Sequence, residues 1–324
     1  MPHFNAELAP ALVTPFLDDE SLDVPAFEKL ARQMVSQGCD GLLVAGTTGE
    51  SPTMTLEEKI TLLAAAKKAV ADLKDTRTGQ RIQLMVGVGS NNTHKTVEEA
   101  KTIAALGVDA LLVVVPYYNK PSQRGMIEHF TQVAHAIPDT EIVIYNIPGR
   151  CVVRMTAETM AILHRTCPNI IGVKQSFGEM DAVGEITALL QSENWLTWCG
   201  DDSLSLPMIA CGAHGTISVL AHLAANPLRE MIRAAKNNQR DKALQLHLKT
   251  LPWAQEIFFL PNPTVVKTCL AQMGQMKRVF RAPMVGPDEA ELARIDKLVA
   301  KLQAESELLD PKPAASKPTQ PAQV

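Results

Sequence analysis

No apolar run in the 324-residue chain approaches the roughly 20 residues that carry a helix across a bilayer, so nothing in it reads as a membrane span. Its opening, Met1–Pro2–His3–Phe4–Asn5, has neither the basic region nor the apolar core of a secretory signal, and a cytoplasmic protein is expected. There is no strong excess of either charge. A net charge of −4 gives nucleic acid and anionic membrane no electrostatic reason to bind. Cysteine is scattered over six positions, Cys39, Cys151, Cys167, Cys199, Cys211 and Cys269, with no C-x-x-C pair. Without a secretory signal these read as reduced, mostly buried thiols. The eight histidines form no H-x-x-x-H or H-E-x-x-H pattern, so no metal site is expected. No G-x-G-x-x-G follows the first strand-like segment, and no Gly-Lys-Ser/Thr follows the one glycine-rich turn. The first absence argues against a doubly wound dinucleotide-binding sheet, and the second means that the turn is not a P-loop.

What is present is alternation. Strand-like segments at Ala9–Pro15, Gly41–Ala45, Ile82–Val88, Ala110–Val115, Glu141–Asn146, Ile170–Gln175, Trp195–Cys199 and Gly215–Leu220 are separated by amphipathic helical stretches. One of these helices opens with Thr55 and Glu58 at capping-box spacing. Eight strand-then-helix units in series predict an α/β fold, most simply a (β/α)8 TIM barrel over residues 1–237. A doubly wound open sheet is the alternative, and fits less well without its glycine fingerprint. Three helices with no strand between them, Asp241–Phe259, Pro263–Met273 and Pro287–Gln303, predict a C-terminal helical appendage over 238–305. From Ser306 the chain is proline-rich and has little to bury, so a disordered, dispensable tail is expected over 306–324.

Barrel active sites lie at the C-terminal ends of the strands. Those positions hold Thr14; Gly46–Thr47–Thr48–Gly49–Glu50–Ser51; Tyr117–Tyr118; Tyr145 with Arg150; Lys174; and Gly200–Asp201–Asp202. Every tyrosine of the chain falls on this rim. Lys174 ends an apolar strand, where an ammonium is costly to desolvate. It reads either as a lysine whose head snorkels to water or as an amine activated by burial to attack a carbonyl. The Gly46–Gly49 turn reads either as an ordinary glycine turn or as a nest of hydroxyls and amides for a small carboxylate. The tyrosines can serve as packing or as proton relays, and Arg150 as a solvated charge or a carboxylate fork. Asp201–Asp202 lacks companion ligands at metal spacing. Lysine, nest and tyrosines together describe a Schiff-base lyase acting on a 2-oxo acid.

Three segments, Gly46–Thr47–Thr48–Gly49–Glu50, Tyr145–Asn146–Ile147–Pro148–Gly149–Arg150 and Ile171–Gly172–Val173–Lys174, resemble in order and spacing the dihydrodipicolinate synthase / N-acetylneuraminate lyase family of class I aldolases, over about residues 7–300. Within that family Tyr117–Gln123 and Arg150 look most like the branch that condenses pyruvate with L-aspartate 4-semialdehyde. The resemblance implies an imine of Lys174 with pyruvate, and Thr48 on the pyruvate carboxylate. It implies a hydroxyl relay of Thr47, Tyr118 and Tyr145, and Arg150 on the aldehyde's carboxylate. Ile217 would face pyruvate through its backbone, with Gly200 also at the substrate. Tyr118 would cross to a neighbouring subunit, making a homodimer the minimal unit and a homotetramer the usual state. Alternatives are a lyase of N-acetylneuraminate or a 2-keto-3-deoxy sugar acid, and a barrel that binds a 2-oxo acid without turnover. The resemblance also places Lys59 and Lys95 where some members bind inhibitory lysine, and two ammonium groups there would repel it.

Overall fold

The computed structural model describes residues 2–75 and 78–305; the tail expected from Ser306 lies outside them. Eight strands occur in chain order: β1 Leu8–Pro10, β2 Gly41–Val44, β3 Gln83–Val88, β4 Ala110–Val114, β5 Glu141–Asn146, β6 Ile170–Gln175, β7 Leu196–Cys199 and β8 Gly215–Ser218. Each pairs parallel with the next from β2 to β8, and β8 pairs with β1. An Ala11–Leu43 bridge closes the ring between β1 and β2. The expected TIM barrel is the fold. Around it run α1 Val24–Ser36, α2 Leu56–Val70, α3 Thr93–Ala104, α4 Gln123–Ala136, the one-turn α5 Pro148–Cys151, α6 Ala157–Thr166, α7 Met180–Leu190, α8 Ser205–Ala210 and α9 Ala221–Lys236. Then follow α10 Arg240–Glu256, α11 Thr264–Gln272 and α12 Glu289–Ala304. The Thr55–Glu58 capping box forms as its spacing requires.

The first strand is shorter than its apolar run suggests, because its far end has other partners. The Val13 amide donates to Nε2 of His222 at 3.2 Å, and Thr14 Oγ1 donates to the Gly49 carbonyl at 2.7 Å. Those bonds draw Val13 toward α9 and Thr14 onto the loop after β2.

Two apolar clusters result. The larger lies between sheet and helices, and the smaller fills the barrel with Ala9, Leu43, Met85, Leu112, Val143, Ile171, Trp198 and Ile217. Phe4 closes the bottom of the barrel, its ring 5.6 Å from that of Trp198, while the Trp198 indole donates to the Ala6 carbonyl at 2.8 Å. The floor is therefore solid, and the mouth faces the C-terminal ends of the strands.

Between β5 and β6 the register slips by one. Ile142 pairs with Ile170, but Val143 pairs with Gly172 and Tyr145 with Lys174. Ile171 is the extra residue of a β-bulge, and its side chain joins the barrel interior. Gly172 takes no side chain because a Cβ there would sit 2.1 Å from the Leu196 carbonyl and 2.9 Å from the Trp198 ring. In this register Lys174 lies between Tyr145 and Trp198, both of the inner face.

Burial holds His222 and His129 neutral, each with its pKa lowered from 6.5 to about 4. His222 is locked as well, accepting from Val13 and sharing its Nδ1 with the Val219 carbonyl at 2.8 Å. A depressed histidine pKa contributes stability that is whole above the unfolded value of 6.5 and is lost as pH falls toward about 4. The melting temperature should therefore decline between pH 6.5 and 4, with His222 contributing on the order of 3 kcal/mol. Melts of wild type and His222→Gln across that range check it: the variant should be less stable at pH 7.5 and show a shallower acid slope.

Candidate active site

Among the described residues three lysines are buried, and their surroundings differ. Lys59 on α2 donates to Glu99 Oε1 at 2.6 Å, and Lys267 on α11 to Glu50 Oε1 at 2.5 Å. Lys174 is 5% exposed and, among the described residues, has no carboxylate within ion-pair distance. Its Nζ stands instead 4.5 Å from the centroid of the Tyr145 ring, itself buried on the neighbouring strand. An unpaired buried lysine is costly as a cation, and the neutral amine is the form that attacks a carbonyl carbon.

Room for the lysine comes from the next strand's end. A Cβ on Gly200 would lie 1.9 Å from Ser176 Oγ, 2.7 Å from Lys174 Cε and 3.1 Å from its Cγ. The same geometry sets the Ser176 hydroxyl beside the lysine's ε-carbon, where it is buried without a hydrogen-bond partner. Sequence reading passed over Ser176, since only the fold brings it against Gly200.

The turn after β2 is rigid. Ala45 and Glu50 both adopt left-handed backbone, with φ of 52° and 60°. The amides of Gly49, Glu50 and Ser51 donate to the carbonyls of Gly46 and Thr47. Among the described residues the amides of Thr47 and Thr48 donate to no protein group, which leaves two N–H groups for an anion. Thr48 is buried and Thr47 half-buried. A Cβ on Gly49 would come 2.9 Å from the Leu12 carbonyl, so the turn packs directly on the chain leaving β1.

A cavity of about 280 Å³ opens beside this turn, lined by Thr47, Gly87, Leu112, Tyr117, Tyr145 and Arg150, among others. Ile217 is fully buried on β8. Tyr118 does not line the cavity: it is 85% exposed, at a φ of 69°. Asp202 serves structure, as a buried acceptor for Ser218 Oγ and for the amides of Val219 and Leu220 at 2.9 Å. Among the described residues no cluster of side chains suits a metal ion. The six cysteines are free, five of them buried.

The C-terminal helices are more than an appendage. Asn262 Nδ2 donates to Thr48 Oγ1 at 2.9 Å, and the Arg281 amide donates to Glu50 Oε2 at 3.1 Å. The Lys267–Glu50 pair lies beneath the turn, its ammonium 4.4 and 4.9 Å from the Phe16 and Phe280 rings. Burial pushes the Lys267 pKa down, and Glu50 opposes that shift. Three bonds from beyond residue 260 thus hold the loop that carries Thr47 and Thr48.

A profile of the dihydrodipicolinate synthetase family matches residues 5–302, nearly the whole described chain. The chain belongs to this family. It is 42% identical over 277 residues to a 4-hydroxy-tetrahydrodipicolinate synthase of Listeria monocytogenes, covering 85% of this chain and 91% of that one. It is 41% identical over 287 residues to the enzyme of the same name from Moorella thermoacetica, covering 88% and 94%. The crystal structure of dihydrodipicolinate synthase from Aquifex aeolicus superposes with a TM-score of 0.86 at 37% identity, covering 93% and 98%.

One expectation drawn from the family resemblance needs correction. Lys59 is not a bare ammonium facing a ligand: it is buried against Glu99, which also accepts from the Gly89 amide at 2.9 Å. Lys95, the other lysine of that expectation, is exposed.

Two outcomes follow from this geometry. Lys267→Met leaves Glu50 buried and unpaired, and should cost about 3–5 kcal/mol in denaturant unfolding, with part recovered by adding Glu50→Gln. Gly200→Ala pushes against the stem of Lys174, and should lower turnover by about 100-fold while the protein still folds. Steady-state rates alongside circular dichroism check the second.

Proposed function

We propose that this member of the family is a 4-hydroxy-tetrahydrodipicolinate synthase, condensing pyruvate with L-aspartate 4-semialdehyde through an imine on Lys174. The single observation that carries the reading is the contrast among the buried lysines. Two are neutralised by glutamates, while the third lacks a carboxylate and stands over a tyrosine at the mouth of the barrel.

Neutral Lys174 adds to the ketone carbon of pyruvate, and loss of water gives an iminium that draws electrons from the adjacent methyl group. The amides of Thr47 and Thr48, with the Thr48 hydroxyl, hold the pyruvate carboxylate. Tyr145, beside the lysine, carries the methyl proton away to leave an enamine, and Thr47 and Tyr118 extend the relay. The enamine carbon attacks the aldehyde, whose carboxylate meets Arg150. The aldehyde's own amine then displaces Lys174 as the ring closes. Ile217 and Gly200 shape the wall of the substrate site, and no organic cofactor or metal enters the scheme.

Tyr118 is exposed and does not line its own chain's cavity, which supports a relay completed by a second copy, with a homodimer as the minimal active unit and a dimer of dimers as the full assembly. No helix among the described residues is long and apolar enough to cross a membrane, which accords with a cytoplasmic enzyme. Residues 1–237 act as the catalytic barrel and 238–305 as its helical support.

Incubation with pyruvate and borohydride should add the mass of a reduced pyruvyl group at Lys174 and abolish activity. Unlabelled Lys174 in an active preparation would sink the mechanism. A purified-protein assay with pyruvate and aspartate semialdehyde, coupled to the following reductase, should show turnover; cleavage of a sugar acid in its place would move the reading to the lyase branch.

A further inference from the structure

The turn that would hold the pyruvate carboxylate contains a group whose direction is not settled by the turn itself, the hydroxyl of Thr48. A hydroxyl carries one proton and two lone pairs, and rotates to suit its neighbours. Here a neighbour has been supplied from 214 residues away: Nδ2 of Asn262 donates to Thr48 Oγ1 at 2.9 Å. With that lone pair engaged, the Thr48 proton must point elsewhere. The amides of Thr47 and Thr48, which donate to no protein group among the described residues, belong to the same turn.

The other half of the Asn262 amide supports this direction. Oδ1 is buried with no hydrogen-bond partner. Turning the amide over would leave its N–H groups without a partner in place of a carbonyl oxygen, a rarer arrangement in buried sites, and would draw the Thr48 proton onto Asn262. The segment bearing Asn262 is also anchored independently. The Thr264 amide donates to the Pro261 carbonyl at 2.9 Å, and the Lys267 amide to the Pro263 carbonyl at 3.0 Å. Lys267 then grips Glu50 at the opposite end of the turn. Asn262 and Lys267, at the start of one helix, hold the two ends of one loop.

We infer that Asn262 is a positioning residue that fixes the Thr48 hydroxyl as a hydrogen-bond donor to the carboxylate of the 2-oxo acid. This rests on the condensation proposed above. It adds that affinity for the 2-oxo acid is set in part by the C-terminal helical region, through an amide that need not touch the substrate.

The test uses the full chain in the coupled assay, with pyruvate-dependent borohydride labelling of Lys174 as a second readout. Asn262→Ala frees the hydroxyl to rotate, and should raise the KM for pyruvate about tenfold with kcat changed less than about threefold. Thr48→Val should raise the same KM at least as much. The double variant should be no worse than Thr48→Val alone, because Asn262 acts through that hydroxyl. Asn262→Asp keeps the shape but only accepts, so it turns the Thr48 proton inward and should weaken pyruvate about 100-fold. It also serves if the alanine variant does not fold. Additive losses in the double variant, or an unchanged pyruvate dependence of labelling in Asn262→Ala, overturn the inference while wild-type labelling leaves the imine reading standing. Absence of labelling in wild type overturns both.

Discussion

A single extra residue in β6 decides which way the candidate nucleophile points. Side chains alternate along a strand, so a register slip of one exchanges the two faces. Ile142 and Ile170 pair on the outer face, and an unbroken ladder from there would match Asn146 to Lys174 and send the lysine out among the helices. The bulge at Ile171 matches Lys174 to Tyr145 instead and brings both into the barrel. Gly172 and Gly200 then matter for what they lack. The first admits the β7 backbone and the Trp198 ring, and the second admits the lysine's own stem.

Charge is the second constraint. A buried ammonium is tolerated when a carboxylate meets it, as Glu99 meets Lys59 and Glu50 meets Lys267. Those two pairs also locate loops. Glu99 accepts from the amide of Gly89, next to the cavity, and Glu50 ends the turn that bears Thr47 and Thr48. The C-terminal helices, topologically outside the barrel, are therefore continuous with its site. Arg281 strengthens the join, reaching Glu58 of the capping box and the Thr53 carbonyl at 3.0 Å.

Much of this was legible in the chain, and the exceptions have physical causes. Alternating apolar runs announced the barrel because a parallel sheet covered on both faces needs strands apolar on both sides. The rim residues followed from strand ends, and Thr47, Tyr145 and Arg150 do share a cavity. Lys174 stands out in the sequence by its apolar setting, Ile170–Ile171–Gly172–Val173. Yet Lys267 has much the same signature, a lysine following Val265–Val266, and went unremarked. Lys59, assigned to a ligand cleft as a free cation, proved to be a paired one. Asn262 lay between two prolines, which mark a stiff turn without saying where it is delivered.

What the sequence by itself determined was local: periodicity, caps, the glycine turn, and the set of polar residues that strand ends would carry to one rim. Those depend on neighbours a few positions apart, and such spacings are written in the chain. Only the tertiary structure decided which buried lysine has no counter-charge, that Ile171 is an extra residue, and that Asn262 reaches Thr48. Each of these depends on groups up to 217 residues apart in the chain, whose distances are set by how strands register and helices pack.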